Sequence, residues 1–286
     1  MLLLQLLVNG LVTGCALGVV AFSFSLVYST TKIFHVAHAG VYTLAGYLAW
    51  SLARAGMPDI VGLIVVPVVC AGFGVVIQRL LYDPLAQRRA THLVVLIASL
   101  GLLAIVQNAI AVLWSPDILH FDSTWRVQTI KLVGVTLNYA QIATVVVSVA
   151  LYGATLFATR HTGIGKRIRA VASNPFLAEL TRLHPRRTYA MVMALASALV
   201  AVPGMLVGFD LGLQPYTGTT VLLTGTVAVI AGGVGSLTGA FLVSIVVTVL
   251  QNLSLLVMPG QWSVGITFLI FVAFMLVRPR GLFAAA

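Results

Sequence analysis

Nine runs of apolar residues follow one another along the chain, separated by short polar or charged connections. Most runs contain about the 20 residues that a helix needs to cross the hydrocarbon core of a membrane. The seventh run is too short to cross untilted, and non-helical backbone is tolerated at membrane depth only where protein or a cavity covers it. The pattern predicts an all-α integral membrane protein, a polytopic bundle of about eight or nine transmembrane helices with a short or broken helix near residues 219–231. The runs are 2–28, 37–56, 60–81, 92–114, 138–159, 189–209, 219–231, 236–257 and 263–277.

The composition agrees with this pattern. Hydrophobic residues make up 60% of the 286 residues and charged residues only 8%, whereas soluble domains are usually about 45–50% apolar. The first run has no basic leader and no evident cleavage site, so we expect it to remain as a span. Residues 1–286 are therefore expected to form one transmembrane domain without a soluble module.

The basic residues lie mostly on one side of the predicted bundle. Cytoplasmic connections are enriched in lysine and arginine, which predicts that residues 79–91, residues 160–188 and the C-terminus face the cytoplasm. The net charge of +10 is then explained by the basic cytoplasmic connections, and no nucleic acid is expected as a partner. The predicted cytoplasmic side holds Lys32, Arg79, Arg88, Arg89, Arg160, Lys166, Arg167, Arg169, Arg182, Arg186, Arg187, Arg278 and Arg280, and the other side holds Arg54, Arg126, Lys131, Asp59, Asp117, Asp122 and Asp210.

The connection at residues 160–188 contains a short amphipathic pattern. Asn174 is a good N-cap and Pro175 suits the first helical position. Phe176, Leu177, Leu180 and Leu183 then recur at helical spacing until His184 and Pro185, with Ala178 expected to face solvent. Spacing alone leaves two interpretations open: a helix lying on anionic lipid headgroups, or one that docks into a groove of a partner.

Several segments resemble the LivH-type permeases, the membrane subunits of branched-chain amino-acid ABC importers. The stretch "GIGKRIRAVASNPFLAELTRL" at residues 163–183 looks like the cytoplasmic loop of that family, in which basic residues precede a short coupling helix. Other similar blocks follow in the same order over nearly the whole chain. They are "NGLVTG" at 9–14, "LVY" at 26–28, "AHAGVYTLAGYLA" at 37–49, "QRLLYDPL" at 78–85, "QN" at 107–108 and "AGGVGSLTGAFL" at 231–242.

The resemblance implies a transport subunit of the bacterial or archaeal inner membrane that is not itself an enzyme and needs no cofactor. Its implied partners are a second permease subunit, either LivM-like or a second copy, two cytoplasmic ABC ATPases, a periplasmic or extracellular solute-binding protein, and membrane lipid. The implied cargo is a branched-chain or other amino acid. The implied ATPase-coupling residues are Asn174, Pro175, Phe176, Leu177, Glu179, Leu180, Arg182 and Leu183.

The chain also departs from the family pattern. Gln78 stands where a glutamate is common, Arg182 where the coupling region often has glycine, and Thr238 where proline is common. In the segment from His35 to Gly40, only an alanine and His38 match the family. The solute and the cognate ATPase are therefore left open.

Polar residues inside the apolar runs are candidates for the lining or gate of a translocation path, because polar groups at membrane depth usually face the bundle interior or a cavity. Bonding between helices explains each of them equally well. His35 and His38 lack further ligands, so no metal site is expected. "AGGVGSLTG" lacks the lysine of a phosphate-binding loop, and we expect a tight cytoplasmic connection there instead. The path candidates are Asn9, His38, Tyr42, Gln107, Asn108 and Asn252, and the connection residues are Gly232, Gly233, Gly235 and Ser236.

Two other function classes compete with an ATP-driven permease. An ion-coupled secondary transporter usually places carboxylates inside the membrane, but no acidic residue falls in the middle of a run, and Asp210 lies at an outer edge. An intramembrane enzyme needs a nucleophile facing a base, or a clustered metal site. The sequence offers neither arrangement, so the ATP-driven permease is favoured.

Overall fold

The computed structural model describes residues 1–121, 127–132, 134–278 and 281–283. Asp122, Arg126 and Arg280, which entered the charge argument, lie outside the described residues. The helices are α1 (Leu2–Thr31), α2 (His38–Arg54), α3 (Asp59–Ile77), α4 (Asp83–Gln87), α5 (His92–Leu113), α6 (Tyr139–His161), α7 (Gly163–Ser173), α8 (Pro175–Leu180), α9 (Pro185–Leu211), α10 (Thr217–Gly232), α11 (Leu237–Ser254) and α12 (Ser263–Val277). A π-helical turn, Gln78–Tyr82, joins α3 to α4, and a 3-10 turn, Gly260–Trp262, precedes α12.

The all-α polytopic prediction is confirmed. Each of the nine apolar runs has become a helix, with ends close to those of the run. Among the described residues, six spans are long and apolar enough to cross a membrane. The α2, α10 and α12 helices are shorter, with 17, 16 and 15 residues.

A small antiparallel hairpin in the connection between α5 and α6 departs from the sequence prediction. Its strands are β1 (Thr129–Leu132) and β2 (Val135–Asn138), paired from Thr129 opposite Asn138. The Gln5 side chain of α1 bonds both backbone groups of Thr136, so the hairpin is tied to the start of the first helix. The sequence showed only a polar connection there.

The centre of the bundle is α1, which contacts α6, α9, α10 and α11. Small residues allow α11 to approach α1 closely between Gly10 and Gly18. A Cβ atom added at Gly10 would lie 2.7 Å from the Cα of Val249, and one at Gly14 would lie 2.7 Å from the Cα of Ile245. Helices in a membrane associate through such close van der Waals packing, because lipid tails are as apolar as the side chains.

The short α10 helix begins inside the bundle. Its first turn packs on α2, where Gly218 touches the Ala39 carbonyl and the Thr43 hydroxyl. The helix is about 24 Å long at 1.5 Å per residue, less than the hydrocarbon core of about 30 Å. In the preceding non-helical segment Leu213 and Pro215 are buried, and Leu213 exchanges two backbone hydrogen bonds with Leu119. This is a short continuous helix, one of the two arrangements that the pattern allowed.

The connection at residues 160–188 holds two helices where the sequence predicted one. The missed helix is α7, whose buried residues Ile168 and Val171 face the bundle while its basic residues are exposed. Its N-cap is Thr162, whose hydroxyl accepts from Gly165 N. An apolar residue every three or four positions from Ile164 was the available signal.

The predicted coupling helix is shorter than expected. Asn174 caps it and Pro175 begins it, as predicted, but α8 ends at Leu180, so Leu183 lies beyond the helix. Arg182, at a position where the related permeases often have glycine, has φ 62°, a left-handed conformation that favours glycine and stops the helix. Ala178 was expected to face solvent, but it is buried, because the side of α8 that carries this small residue faces the rest of the protein.

Candidate functional site

A cavity of about 240 Å³ lies among α1, α2, α9, α10, α11 and α12. Its wall is mostly apolar, with Leu17, Val20 and Val221 among the lining residues. Hydroxyl and amide groups interrupt this wall, and no carboxylate or ammonium group is present in its lining. Such a surface suits a small solute that has an apolar part and a few hydrogen-bonding groups.

The polar side of the cavity is built mainly from threonines that the sequence analysis missed. Thr217, Thr220 and Thr224 fall at the spacing of one helical face of α10 and line the cavity together. Thr13, Thr248 and Gln251 complete the polar lining from α1 and α11. The threonine spacing was visible in the sequence, but hydroxyl groups in a membrane helix commonly bond the backbone of their own helix, as Thr224 does with Thr220 O at 3.1 Å.

Two of the six path candidates lie at or near this cavity. Tyr42 lines it directly. Gln107 of α5 donates from Nε2 to the hydroxyl of Thr219, in the first turn of α10, at 2.8 Å. The start of α10 is therefore held from α5 as well as from α2.

The remaining four candidates are not gathered at the cavity. Asn9 accepts from Gln5 Nε2 at 3.0 Å near the hairpin. Asn108 and Asn252 each donate to the backbone of their own helix, and Asn108 is exposed on the outer side of α5. His38 lies in a separate buried cluster. The structure thus divides the six between a cavity, positions on three different helices and a polar cluster.

The acidic side chain at the C-terminal end of α9 is fixed by amide groups. Asp210 accepts from Asn138 Nδ2 at 2.5 Å and from Gln141 Nε2 at 3.2 Å. Asn138 also caps α6 in a reciprocal arrangement with Gln141. Asp210 therefore helps to join the ends of α6 and α9, which is a structural role at the edge of the bundle.

A buried polar cluster joins α1, α2, α5 and the π-helical turn. His38 Nε2 is 2.9 Å from the Ser23 hydroxyl, and His35 Nδ1 is 2.7 Å from the Tyr82 hydroxyl. Tyr82 donates to Ser99 Oγ at 2.9 Å. The π-helical turn places Tyr82 on the buried side, and such turns are frequent at functional positions.

These contacts fix which nitrogen of each ring carries hydrogen. Ser23 donates its own proton to Val20 O, so its oxygen accepts from His38 Nε2. Tyr82 donates to Ser99, so its oxygen accepts from His35 Nδ1. Burial lowers the pKa of His35, in the connection between α1 and α2, to about 3. His35 Nε2 and His38 Nδ1 keep lone pairs without a partner within the described part of the chain.

The histidine pair has too few neighbours of the right chemistry for a metal centre. The two ring centroids are 5.6 Å apart. The described residues include no group of three or more histidine, cysteine or acidic side chains that could hold a metal ion. The two free lone pairs can instead accept hydrogen bonds from water or another donor.

The end of the bundle that carries α7 and α8 presents apolar side chains to the outside. Phe176 is 70% exposed and Leu180 is 68% exposed, with Leu177 and Glu179 also exposed beside them. Leu183 is half-buried after the helix. Three large apolar groups on one six-residue helix form an unpartnered surface, which we name the α8 surface (Phe176, Leu177 and Leu180).

The glycine-rich segment forms a compact connection between α10 and α11. Gly232 ends α10 and Gly233 follows with φ 101°. Ser236 begins the next helix by accepting from Gly239 N at 3.0 Å. The Gly235 amide donates to Ser25 Oγ of α1, so the connection is attached to the central helix.

Comparison with known proteins places these features in a family. The family described as "Branched-chain amino acid transport system / permease component" matches residues 6–275. The high-affinity branched-chain amino acid transport system permease protein BraD of Pseudomonas aeruginosa is 27% identical, over 98% of this chain and 95% of its own. LivH of Escherichia coli, of the same description, is 26% identical over 98% of this chain and 94% of its own.

Two further similarities concern part of the chain or the fold alone. The xylose transport system permease protein XylH of Escherichia coli is 32% identical over 121 residues, 40% of this chain and 30% of its own. The solved structure described as PsaBC from Streptococcus pneumoniae in complex with Fab has a TM-score of 0.53 and 16% identity, covering 95% of this chain and 91% of that one. The second similarity supports the arrangement of helices and nothing finer.

Proposed function

The chain belongs to the family of branched-chain amino acid transport system permease components, and from this premise we propose that it is the permease subunit of an ATP-driven importer. Its relatives are transport permeases and not enzymes. The observation that carries the proposal is the family match over residues 6–275, which includes the cavity, the polar cluster and the α8 surface. The proposed cargo is a branched-chain or other amino acid.

The threonine-lined cavity is the proposed segment of the translocation path within this chain. Its apolar wall accommodates an aliphatic side chain, and its hydroxyls offer hydrogen bonds to the polar end of an amino acid. The first turn of α10 lies at the cavity, and the amide groups of a helix start attract a carboxylate. Leu211 and Thr13 are exposed at the cavity, and the second permease subunit is the proposed cover for this side.

The α8 surface is the proposed contact with the ATPases. Its apolar groups project from the bundle on a short, capped helix, a shape that fits helix-in-groove recognition. The glycine-rich connection at residues 232–236 lies at the same end, because it is bonded to α1 near Ser25 and lines a cavity with α7. Motion delivered to α7 and α8 can therefore reach α10 and α11. ATP binding would then shift the balance between two packings of the bundle.

Transport by the reconstituted complex tests the proposal. The proteoliposomes hold this chain with its partner permease and ATPases, and the binding protein is supplied outside. Complexes whose ATPases face the lumen should accumulate radiolabelled leucine only when ATP is enclosed in the lumen. Uptake should survive an ionophore that abolishes proton and sodium gradients. Uptake without ATPases, driven by an ion gradient, would instead establish the ion-coupled alternative.

A single substitution tests the role of the α8 surface. Leu180→Asp places a charge in the proposed apolar contact, and burial of an unpaired charge costs several kcal/mol. We expect at least about a tenfold loss of solute-stimulated ATP hydrolysis, with less ATPase recovered on co-purification. Thr181→Asp is the matched control, because it adds the same charge at an exposed polar position. Normal coupling in both variants would favour a helix lying on lipid headgroups.

The sidedness of the bundle is also proposed: residues 160–188 and the C-terminus face the cytoplasm. The charge distribution supports this orientation. The two native cysteines, Cys15 and Cys70, are buried, so a cysteine placed at exposed Arg167 can be labelled against a low background. A membrane-impermeant maleimide should label it in inverted vesicles and not in intact cells. Labelling from outside intact cells would reverse the orientation.

A further inference from the structure

A second cavity, of about 480 Å³, lies at the end of the bundle that carries α7 and α8. Three basic side chains line it from three different elements: Lys32 after α1, Arg160 at the end of α6, and Arg169 on α7. No acidic residue is present in its lining. The translocation proposal does not use this cavity, which is separate from the threonine-lined one.

Only one of the three basic side chains in this second cavity has a hydrogen-bond partner within the described residues. Arg169 donates to the Thr159 carbonyl. The side chains of Lys32 and Arg160 make no hydrogen bond or ion pair with any residue that the structure describes. Lys32 also has φ 58°, a left-handed conformation usually given to glycine or asparagine, so the sequence places a lysine where the backbone does not favour one.

Hydroxyl groups and a helix start add to the anion-binding chemistry. Ser173, Ser236 and Thr238 line the cavity beside the basic groups. The 18-residue helix α11 begins here, and the amide dipoles at its first turn favour a negative charge. Basic groups, hydroxyls and the amides of a helix start are together the usual partners of a phosphate group.

An apolar cavity adjoins the basic one. It has a volume of about 540 Å³, and Lys32 lines both cavities. Its other lining residues include Tyr28, Phe34, Leu93 and Leu96, from α1, the following connection and α5. An acyl chain can pack against such a surface, whereas inorganic phosphate has no apolar part that could contact it. The neighbouring apolar cavity therefore favours a lipid over a soluble anion.

We propose that the paired cavities bind one anionic phospholipid, with its phosphate among Lys32, Arg160 and Arg169 and an acyl chain against Tyr28 and Phe34. Basic pockets between membrane helices bind headgroups in this way. The site joins α1, α6, α7 and the start of α11, so the lipid stabilises the connection between the α7–α8 segment and the central helix. The proposal rests on the cavities themselves and stands whether or not the chain carries amino acids.

Lipid retention tests the proposal directly. The permease, purified with the subunits that accompany it, is exposed in detergent to dioleoyl phosphatidylglycerol or dioleoyl phosphatidylcholine, and bound lipid is counted by native mass spectrometry. We expect one tightly held phosphatidylglycerol and no comparable phosphatidylcholine. The triple variant Lys32→Gln, Arg160→Gln, Arg169→Gln should hold it about a hundredfold more weakly, since each surface cation contributes about a fivefold gain.

Two further variants separate charge from folding. Lys166→Gln, Arg167→Gln, Arg186→Gln removes the same charge from exposed positions outside the cavity lining and should bind phosphatidylglycerol normally. Arg160→Gln alone breaks no internal bond and should weaken binding about fivefold. Equal retention by the cavity variant and the exposed-charge variant would overturn the proposal.

A competition arm distinguishes the source of the phosphate. Millimolar inorganic phosphate should fail to displace the phospholipid, because it gains nothing from the apolar cavity. Displacement by inorganic phosphate would overturn the lipid assignment in favour of a soluble anion. If the cavity variant kept its lipid but lost its ATPases, the basic groups would belong to a protein contact, and the proposal would again fail.

Discussion

The first and third predicted spans differ in burial. The third span contains the more apolar window, yet that window is the less buried of the two. The most apolar 18-residue window of the span Asp59–Gln87 has a mean hydropathy of 2.8, and only 28% of that window is buried. The corresponding window of α1 has a mean hydropathy of 2.0, and 89% of it is buried. In a soluble protein the more apolar helix would be expected inside. Here the more apolar window is the one that faces outward.

The difference follows from the solvent around the bundle. Large aliphatic side chains gain nothing by leaving lipid for protein, so association depends on close packing and on hydrogen bonds between helices. The α1 helix supplies both, with Gly10, Gly14 and Gly18 against α11 and with Ser23 and Ser25 bonded to other elements. The third span offers mainly aliphatic groups outward, such as Ile64 and Val68.

The largest expected effect comes from enlarging a glycine at the central contact. Gly14→Leu forces a side chain into the backbone of α11, where even a Cβ atom would lie 2.7 Å from Ile245 Cα. Overpacking of this kind usually costs about 1–3 kcal/mol and occasionally more, and backbone contact places this site at the upper end. Gly72→Leu on α3 is the control, because nothing lies within 4 Å of a Cβ there. Thermal unfolding in detergent should show a large loss for the first variant only; equal losses would remove the distinction between the two spans.

A buried hydrogen bond should give the next largest effect. Ser23→Ala leaves His38 Nε2 without its partner inside the bundle, and an unsatisfied buried polar group costs about 1–3 kcal/mol. Ser254→Ala removes a hydroxyl that bonds only its own helix, at Gln251 O, and should change stability by less than about 0.5 kcal/mol. The difference in melting temperature between the two variants is the measurement. A neutral Ser23 variant would mean that a neighbouring group or water replaces the bond.

The smallest effect is expected for one interhelical hydroxyl. Thr248 of α11 donates to Gly10 O of α1 at 2.8 Å, and such bonds in membrane proteins average about 0.6 kcal/mol. Thr248→Val keeps the shape of the side chain and removes that bond. Thr226→Val is the control, since Thr226 bonds only Leu222 O of its own helix. Denaturant midpoints should separate the pair by a small but measurable margin, and an equal midpoint would assign the α1–α11 contact to packing alone.

The sequence was informative about the candidate sites only where one segment suffices. Asn174 and Pro175 identified the start of α8, because capping is a local property of the backbone. The end of α8 was wrong by three residues, since the apolar spacing continued to Leu183 while Arg182 left the helical conformation. The exposure of Ala178 was also wrong, because a six-residue helix offers too few positions to decide which side faces the protein.

Hydropathy along the chain determined the class of protein, the number of apolar segments and their approximate ends, because the cost of leaving water depends on each segment alone. Motifs in order along the chain indicated the family. Only the tertiary structure decided that α1 is central, that Thr217, Thr220 and Thr224 share a cavity with Tyr42, and that Lys32, Arg160 and Arg169 meet. The physical reason is that hydropathy measures a preference for lipid over water. The choice between lipid and protein depends on the shape and hydrogen bonds of neighbours brought together from distant segments.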